Sequence, residues 1–327
     1  MTRMLRPAPV CALAALLCAA CSSGGGAAPS PSPPASASAP VSASPGVSPT
    51  ATASPHASPA AALHVMLVVL ENHDYGSVIG NPDAPSLNAL SQRYGLATQS
   101  YARTHPSLPN YLELVAGQTF GITSDCTSCT VEGPTVVDQL SSRGYGWAAY
   151  MEDMPSPCFV GDDYNGLYAR KHDPLVYVDH IRNDRAACAR IQPFTQLYPA
   201  LDAGTLPAFV EVTPNMCHDG HDCSLRQSDA WVGGFVSRLT ASSWFQQGGV
   251  LILTYDEGTS GAGCCRVAAG GHIATWVVSR STPAGARMAA PVDHAGVLRT
   301  VEELFGLPFL GDAACACSGD LRPLLGR

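Results

Sequence analysis

Three short segments carry the residue types that could do chemistry in this chain. The segment 104–111 places the hydroxyl of Ser107 directly ahead of an apolar, helix-forming stretch. Glu71-Asn72 and Asp256-Glu257 each follow a mainly apolar segment of strand length. Metal-assisted phosphoryl transfer needs an exposed hydroxyl beside hard oxygen ligands that hold a cation. The sequence therefore predicts a reaction site built from these segments.

The apolar runs that precede the polar segments predict where those segments meet. Residues 65–70 form a continuous apolar run, which is typical of a strand covered on both faces of a sheet, and residues 250–255 predict a second buried strand. A third strand is expected at 208–212, followed by the polar segment Thr213-Pro214-Asn215. In parallel sheets the ligand site lies beyond the carboxyl ends of the strands. We therefore expect these polar clusters to converge on one edge of the sheet.

The rest of the domain alternates between helical and extended patterns. Helices are expected at 85–94, 107–116, 136–143 and 230–245, with Gly117 as the stop of the second, and a last helix is expected after a capping Asp293. Further strands are expected at 147–150 and 273–279. This alternation predicts an α/β domain with a mostly parallel central sheet and helices on both faces. Residues 63–327 suffice for one such domain.

The first 21 residues have the pattern of an export signal. Arg3 and Arg6 precede an apolar stretch at 8–20 that is too short to span a bilayer. The stretch ends at Cys21 and resembles a bacterial lipoprotein signal, in which Cys21 is lipidated and becomes the N-terminus. Ordinary secretion with cleavage nearby is the alternative. We expect an exported lipoprotein on the outer face of the cell membrane.

Residues 22–62 form a tract of small residues and proline without any charge. Such a composition predicts a disordered tether between the membrane and the domain. The formal charge of the whole chain is −8, and loss of both signal arginines brings it near −10. This balance argues against nucleic-acid binding, and a phosphate ligand would need a cation to offset the local repulsion.

The cysteine count predicts disulfides. The chain has 13 cysteines. Removal of Cys11 and Cys18 with the signal and lipidation of Cys21 leave an even set of ten, which in an exported protein favours disulfides. The ten are Cys126, Cys129, Cys158, Cys188, Cys217, Cys223, Cys264, Cys265, Cys315 and Cys317. A zinc site at Cys126 and Cys129 is the alternative, but no second pair has matching spacing.

Four segments together resemble a known family. They are Leu70-Glu71-Asn72-His73, residues 104–111, Lys171-His172-Asp173-Pro174 and Tyr255-Asp256-Glu257-Gly258. They resemble the bacterial phosphoesterase family of phospholipases C and acid phosphatases, within the alkaline phosphatase superfamily. The stretch from Ser107 to Asn110 is also similar to the nucleophile segment of nucleotide pyrophosphatases. The resemblance implies an alkaline-phosphatase-like fold and a phosphoester substrate, either a small molecule or a phospholipid.

The resemblance also implies roles for single residues. Ser107 would be the nucleophile that forms a phosphoseryl intermediate, and Asn110 would hydrogen-bond the phosphate. Histidines can stabilise the charged oxygens or protonate the leaving group. The histidines expected to do so are His105, His172 and His221. From its position alone, without the neighbouring motif residues, a helix cap is the favoured interpretation of Ser107.

A divalent cation is the implied cofactor. Its expected ligands are Glu71, Asn72, Ser107, Asp256 and Glu257. Oxygen ligands favour Mg, Ca or Mn. Many superfamily relatives instead hold two zinc ions and have Asp-His where this chain has Asp256-Glu257, which leaves the identity and number of the ions open, Zn included. The alternative for both pairs is a polar turn at the end of a strand.

Other polar residues allow more than one interpretation. The loop 217–223 contains His218, His221 and two aspartates, and it is either a second metal site or a solvated acidic loop. No role is assigned to His218, His272 or His294. We expect a metal-dependent phosphomonoesterase. The alternatives are a phospholipase C-type phosphodiesterase and a non-catalytic lipoprotein that binds phosphoesters.

Overall fold

The computed structural model describes residues 63–326. The predicted signal, Cys21 and the tether lie outside them. The strands are β1 Val65–Leu70, β2 Gly95–Tyr101, β3 Trp147–Met151, β4 Asp163–Tyr164, β5 Tyr168–Ala169, β6 Ile191–Pro193, β7 Phe209–Thr213, β8 Val250–Tyr255, β9 His272–Val278, β10 Arg287–Met288 and β11 Val292–Asp293.

Ten α-helices lie between 63 and 326. They are α1 Tyr75–Val78, α2 Pro85–Arg93, α3 Ser107–Ala116, α4 Val136–Ser142, α5 Asp179–Asn183, α6 Arg185–Cys188, α7 Leu197–Asp202, α8 Leu225–Ala241, α9 Ser243–Gln246 and α10 His294–Phe305. Short 3₁₀ turns connect several of them, including Arg170–His172 and Pro174–Tyr177. None of the helices in this range is long and apolar enough to cross a membrane.

Nine strands form one sheet in the order β10-β2-β9-β8-β1-β7-β3-β6, and β11 also pairs with β2. Every pairing is parallel except those of β9, which runs antiparallel to both β2 and β8. β4 and β5 form a separate hairpin. The predicted α/β fold with a mostly parallel sheet is confirmed.

Two apolar layers cover the two faces of the sheet. Alternate residues of β1 point to opposite layers: Val65, Leu67 and Val69 to one, Met66, Val68 and Leu70 to the other. The first layer is completed by α3, α4 and α10, and the second by α2, α7, α8 and α9. All six residues of β1 and all six of β8 are buried. This double burial explains why β1 is entirely apolar and β8 nearly so, with Thr254 its one small polar residue.

The structure contains short elements that were not predicted, namely α1, α5, α6, α7, β4, β5, β6, β10 and β11, and it also differs from the prediction at α8 and β2. Helix α8 begins at Leu225, earlier than the expected 230, because Ser224 and Gln227 form a capping box ahead of it. Ser242 then ends α8, and its hydroxyl caps α9 by accepting a hydrogen bond from Phe245 N. Strand β2 was not predicted, because its polar residues give no continuous apolar run.

All ten cysteines of the described domain pair with one another. The pairs are Cys126–Cys129, Cys158–Cys188, Cys217–Cys223, Cys264–Cys265 and Cys315–Cys317. The predicted use of the cysteines as disulfides agrees with this pairing. Cys126 and Cys129 bond to each other, so they do not form the zinc site that was the alternative. The Cys217–Cys223 pair closes the loop that follows β7.

Candidate active site

The carboxyl ends of two neighbouring parallel strands bring the predicted acidic pairs together. Leu70 at the end of β1 lies opposite Tyr255 at the end of β8, so the next residues, Glu71 and Asp256, leave the sheet side by side. The backbone N–H of Asn72 donates to Asp256 Oδ1 at 3.3 Å. Glu71 and Asp256 are both fully buried. The register of the sheet alone therefore assembles this part of the site.

Helix α3 brings the hydroxyl to these carboxylates. Ser107 is the first residue of α3, and its Oγ donates to Glu71 Oε2 at 3.2 Å. One turn later, Tyr111 donates its hydroxyl to Glu71 Oε1 at 2.5 Å. The buried N-terminus of α3 therefore lies over the end of β1, and its backbone amides favour an anion there.

The side chain of Asn72 faces oxygen atoms of two carboxylates. Its amide oxygen lies 3.1 Å from Glu71 Oε2 and 3.2 Å from Glu257 Oε1, and rotation of the amide turns both contacts into hydrogen bonds from its nitrogen. Three acceptor groups repel one another unless such a rotation or a shared cation intervenes. Asn72 holds this place with φ 55°, a left-handed conformation that asparagine tolerates better than most residues.

Four carboxyl groups crowd this end of the sheet. Burial raises the pKa of Glu71, Asp219 and Asp256 well above the usual range, and neighbouring carboxylates raise each of them further. Burial also raises the pKa of Glu257. Asp219 Oδ2 and Asp256 Oδ2 are buried without a hydrogen-bond partner. A bound divalent cation would relieve this repulsion and partner these oxygens, so the residues present fit a metal site.

Buried His172 lies behind Glu71. Its Nε2 is 3.1 Å from Glu71 Oε1, and its Nδ1 is 3.4 Å from Asp219 Oδ2. Its ring stacks on Tyr111 at a centroid distance of 5.1 Å. Burial, followed by the charges of Lys171 and His221, lowers the pKa of His172 well below its usual value, which keeps the ring neutral. One ligand atom each from Glu71, His172 and Asp219 lie within 4.8 Å of one another, so this group also suits a cation.

The other two predicted histidines line the open side of the site. His105 Nδ1 contacts Glu257 Oε2, and its Nε2 lies 3.0 Å from the carbonyl oxygen of Ser260. His221 Nδ1 lies 2.7 Å from Asp222 Oδ1. The side chain of His105 is 43% exposed and that of His221 24%. Both rings are therefore held by a carboxylate and remain accessible from solvent.

Asn110 contacts backbone groups of its own segment. Its Oδ1 accepts a hydrogen bond from Thr104 N at 3.0 Å, and its Nδ2 donates to the carbonyl oxygens of Thr104 and Pro106 at 2.9 and 3.1 Å. These contacts fix the turn that places Ser107 at the start of α3. A direct hydrogen bond from Asn110 to phosphate, implied by the resemblance, stays a prediction.

The three histidines without an assigned role contact other parts of the fold. His294 is buried, with Nε2 3.1 Å from the carbonyl oxygen of Tyr255, and burial lowers its pKa to about 4. His272 stacks between Tyr75 and Tyr101. His218 Nδ1 lies 2.9 Å from Glu152 Oε2. These contacts give each ring a structural role.

The loop 217–223 contributes one side chain to the central cluster. Asn215, at its start, accepts hydrogen bonds from Cys217 N and His218 N, which shapes the loop. Asp219 then points to His172. His221 contacts Asp222 and Lys171 beside the cluster, and His218 contacts Glu152. Within residues 63–326, the cluster found here is the one shared with Glu71, so the loop forms no separate metal site in this range.

The fold and these motifs agree with the comparison to known families. The sequence profile of the Phosphoesterase family matches residues 80–308. The chain belongs to this family. The resemblance inferred from the motifs is therefore confirmed, and this phosphoesterase is a phosphoric ester hydrolase.

Relatives of this phosphoesterase are named as phosphatases. It is 34% identical over 261 residues to phosphatidylinositol-3-phosphatase of Mycobacterium tuberculosis, covering 77% of this chain and 80% of that protein. It is 30% identical to acid phosphatase of Aspergillus niger, covering 76% of this chain and 60% of the relative. In fold, it resembles an alkaline phosphatase superfamily protein from Vibrio parahaemolyticus with a TM-score of 0.52 at 15% identity, covering 77% and 70% of the two chains.

Proposed function

We propose that this phosphoesterase hydrolyses phosphomonoesters, with Ser107 as the nucleophile and a divalent cation as cofactor. One observation carries the proposal. Ser107 is the first residue of helix α3, and its hydroxyl donates a hydrogen bond to Glu71 within a cluster of buried carboxylates. A helix cap alone would not require that cluster. A nucleophile beside a cation, at a helix N-terminus that attracts phosphate, accounts for the position of Ser107, its hydrogen bond to Glu71 and the buried carboxylates.

The cation would be held by oxygen ligands at the ends of β1 and β8. We assign Glu71, Asn72, Asp256 and Glu257 as its ligands, together with Ser107. A cation bound there supplies Lewis-acid stabilisation of the phosphoryl oxygens and of the ionised serine. The oxygen set favours Mg, Ca or Mn, whereas the adjacent His172 and Asp219 bring a nitrogen donor that also suits Zn.

The proposed reaction has two displacements at phosphorus, the first by Ser107 and the second by water. Ser107 Oγ attacks phosphorus, its proton passes to the Glu71 carboxylate that it already contacts, and the bond to the leaving alcohol breaks. The leaving oxygen takes a proton from His105, the more exposed of the two accessible imidazoles, because His221 Nε2 accepts a hydrogen bond from Lys171. Water then gives a proton to the imidazole that lost one as its oxygen attacks the phosphoseryl group, and the Ser107 oxygen takes back the proton held by Glu71. This step releases phosphate and restores the Ser107 hydroxyl, the carboxylate and the imidazolium.

The proposed substrate class is the phosphomonoester. The names of the relatives support it, because each describes a phosphatase. Because one relative is named phosphatidylinositol-3-phosphatase, the proposed substrates include phosphorylated lipid head groups. A phospholipase C-type diesterase and a non-catalytic phosphoester-binding protein are the alternatives, and substrate comparison separates all three.

We expect purified enzyme to hydrolyse p-nitrophenyl phosphate with a higher kcat/KM than p-nitrophenylphosphorylcholine. The monoester carries the larger negative charge, which suits a site that combines a cation with the N-terminus of α3. Initial rates with Mg, Ca, Mn and Zn, each added to metal-free enzyme, measure this preference. Equal or better use of the choline diester would favour the phospholipase C alternative, and no turnover of either substrate with any metal would favour the binding protein.

We also propose that the enzyme is a lipoprotein on the outer face of the membrane. Two acyl chains on a lipidated Cys21 would give stable anchoring, whereas one would bind marginally. Cys21→Ala should release active, folded enzyme into the medium, as measured by fractionation and phosphatase assay. Cys11→Ala, which changes a cysteine of the signal away from the lipidation site, is the matched control and should stay with the membrane. Retention of the Cys21 variant in the membrane fraction would contradict the anchor.

A further inference from the structure

Lys171 is the only lysine of the chain. Of the 18 lysine and arginine residues in the sequence, the other 17 are arginine. This single lysine lies in the 3₁₀ turn Arg170–His172, directly ahead of the buried His172. A chain that uses arginine at every other basic position therefore places its one ammonium group at the candidate active site.

The ammonium group lies where the buried cluster meets solvent. Lys171 Nζ is 3.2 Å from Asp125 Oδ2 and 3.1 Å from His221 Nε2. Its side chain is 20% exposed, compared with 3% for His172. The positive charge of Lys171 acts to lower the pKa of Glu71, Asp219 and Glu257, so the ammonium lies among these carboxyl groups.

Asp125 connects this ammonium group to the proposed nucleophile. Asp125 Oδ1 accepts a hydrogen bond from the backbone N–H of Leu108 at 2.9 Å, while its Oδ2 pairs with Lys171. Leu108 is the residue after Ser107 in α3. One carboxylate therefore holds Lys171 against the helix N-terminus at which the phosphoryl group would be attacked.

The geometry suits an ammonium better than a guanidinium. An ammonium is a compact charge with three donors, and the described contacts to Asp125 and His221 use two of them. The third has no hydrogen-bond partner among the described residues, so it is available to a ligand. A guanidinium is a planar fork that pairs with a carboxylate through two parallel bonds, so it would direct its donors to Asp125 instead.

We propose that Lys171 is the residue that selects phosphomonoesters over phosphodiesters, by binding a non-bridging phosphoryl oxygen with its ammonium group. This inference rests on the proposed function. A monoester dianion approaching this acidic protein needs more positive charge than a diester monoanion does. Where the monoester presents a charged oxygen to Lys171, the diester presents an esterified one, which accepts a hydrogen bond less well.

Substitution of Lys171 tests the selectivity. For full-length enzyme, Lys171→Gln should lower kcat/KM for p-nitrophenyl phosphate by about 10²-fold or more, the scale for loss of one charged-oxygen donor. The loss for bis(p-nitrophenyl) phosphate should be less than roughly tenfold, because the diester lacks the second charge. Lys171→Arg keeps the positive charge but not the geometry of the ammonium group. Its ratio of monoester to diester kcat/KM should lie between those of the wild type and Lys171→Gln. Thermal melting of each variant checks that it folds.

A covalent label gives a readout that does not depend on turnover. In Ser107→Ala enzyme, which cannot cleave a phosphomonoester through the serine, pyridoxal 5′-phosphate would place its phosphate in the site. Its aldehyde carbon would condense with the Lys171 amine to an imine with release of water. Borohydride then supplies a hydride that reduces the imine to a stable amine. Peptide mapping should show this label on Lys171, protection by inorganic phosphate, and weaker labelling by pyridoxal without phosphate. The Lys171→Arg variant should carry no internal label.

The outcomes separate this inference from the proposed function. No turnover of any phosphoester by wild-type enzyme contradicts the proposed function. An equal loss of monoester and diester activity in Lys171→Gln contradicts the selectivity alone, even when the wild type is active. Labelling of Lys171 that inorganic phosphate does not prevent contradicts a phosphate contact at its ammonium group.

Discussion

Replacement of Ser107 by alanine is expected to lower kcat for p-nitrophenyl phosphate by roughly 10⁴-fold or more, the scale for removal of a catalytic nucleophile. Ser107 is the first residue of α3, and its Oγ atom donates a hydrogen bond to Glu71. Alanine has no hydroxyl group and therefore cannot attack phosphorus. Alanine is also favourable in a helix, so α3 should form normally. Steady-state kinetics at saturating substrate measures the loss.

Ser86→Ala is the matched control for this variant. Ser86 lies in the first turn of α2, as Ser107 lies in the first turn of α3. Its neighbourhood includes Gly233 of α8, on the other face of the sheet. Ser86→Ala should therefore keep near wild-type turnover. A Ser107→Ala enzyme that keeps more than about a tenth of wild-type kcat would show that Ser107 is not the nucleophile.

Loss of Glu71 or Asp256 should remove both activity and metal. Glu71→Ala or Asp256→Ala deletes an anionic ligand from the end of β1 or β8, where both carboxylates are fully buried. We expect kcat to fall by at least ~10²-fold, since even partners of metal ligands cost up to that much. Bound metal, measured by elemental analysis after gel filtration, should fall below one ion per chain.

Asp229→Asn controls for the loss of a buried carboxylate in general. Asp229 accepts hydrogen bonds from Ser86 N and Leu87 N and so holds the start of α2. Its substitution should lower the melting temperature without changing the metal content of the folded enzyme. Full metal content in both the Glu71 and Asp256 variants would place the metal site elsewhere.

The sequence predicted the parts of this site that depend on strand ends. The apolar runs of β1 and β8 indicated buried parallel strands, and the residues after them, Glu71 and Asp256, are adjacent because parallel strands end at one edge. The helix from Ser107 to Gly117 was predicted from its apolar spacing and its glycine, which ends α3 in a left-handed conformation. Local patterns sufficed for both.

Contacts that depend on tertiary packing were not predictable in the same way. Asp219 reaches His172 because Asn215 and the Cys217–Cys223 pair shape the loop, and no local pattern distinguishes Asp219 from Asp222. The backbone contacts of Asn110 likewise depend on how the chain turns ahead of α3.

Two signals for the site were present in the sequence and were not used. Tyr111 lies four residues after Ser107, a spacing that places both side chains on one face of a helix. Lys171 is the single lysine of the chain. Spacing within a helix and residue scarcity can therefore identify site residues that motif matching does not assign.

The most direct test of the central claim is a search for phosphate on Ser107 during turnover. Wild-type enzyme should be mixed with p-nitrophenyl phosphate, quenched in separate samples with acid and with alkali, and mapped by peptide mass spectrometry. The acid quench preserves phosphoserine and the alkaline quench preserves phosphohistidine. We predict one phosphoryl group on Ser107 in the acid-quenched sample and none in the Ser107→Ala variant. Phosphate on His105, His172 or His221, or on no residue of an actively turning over enzyme, would contradict the serine mechanism.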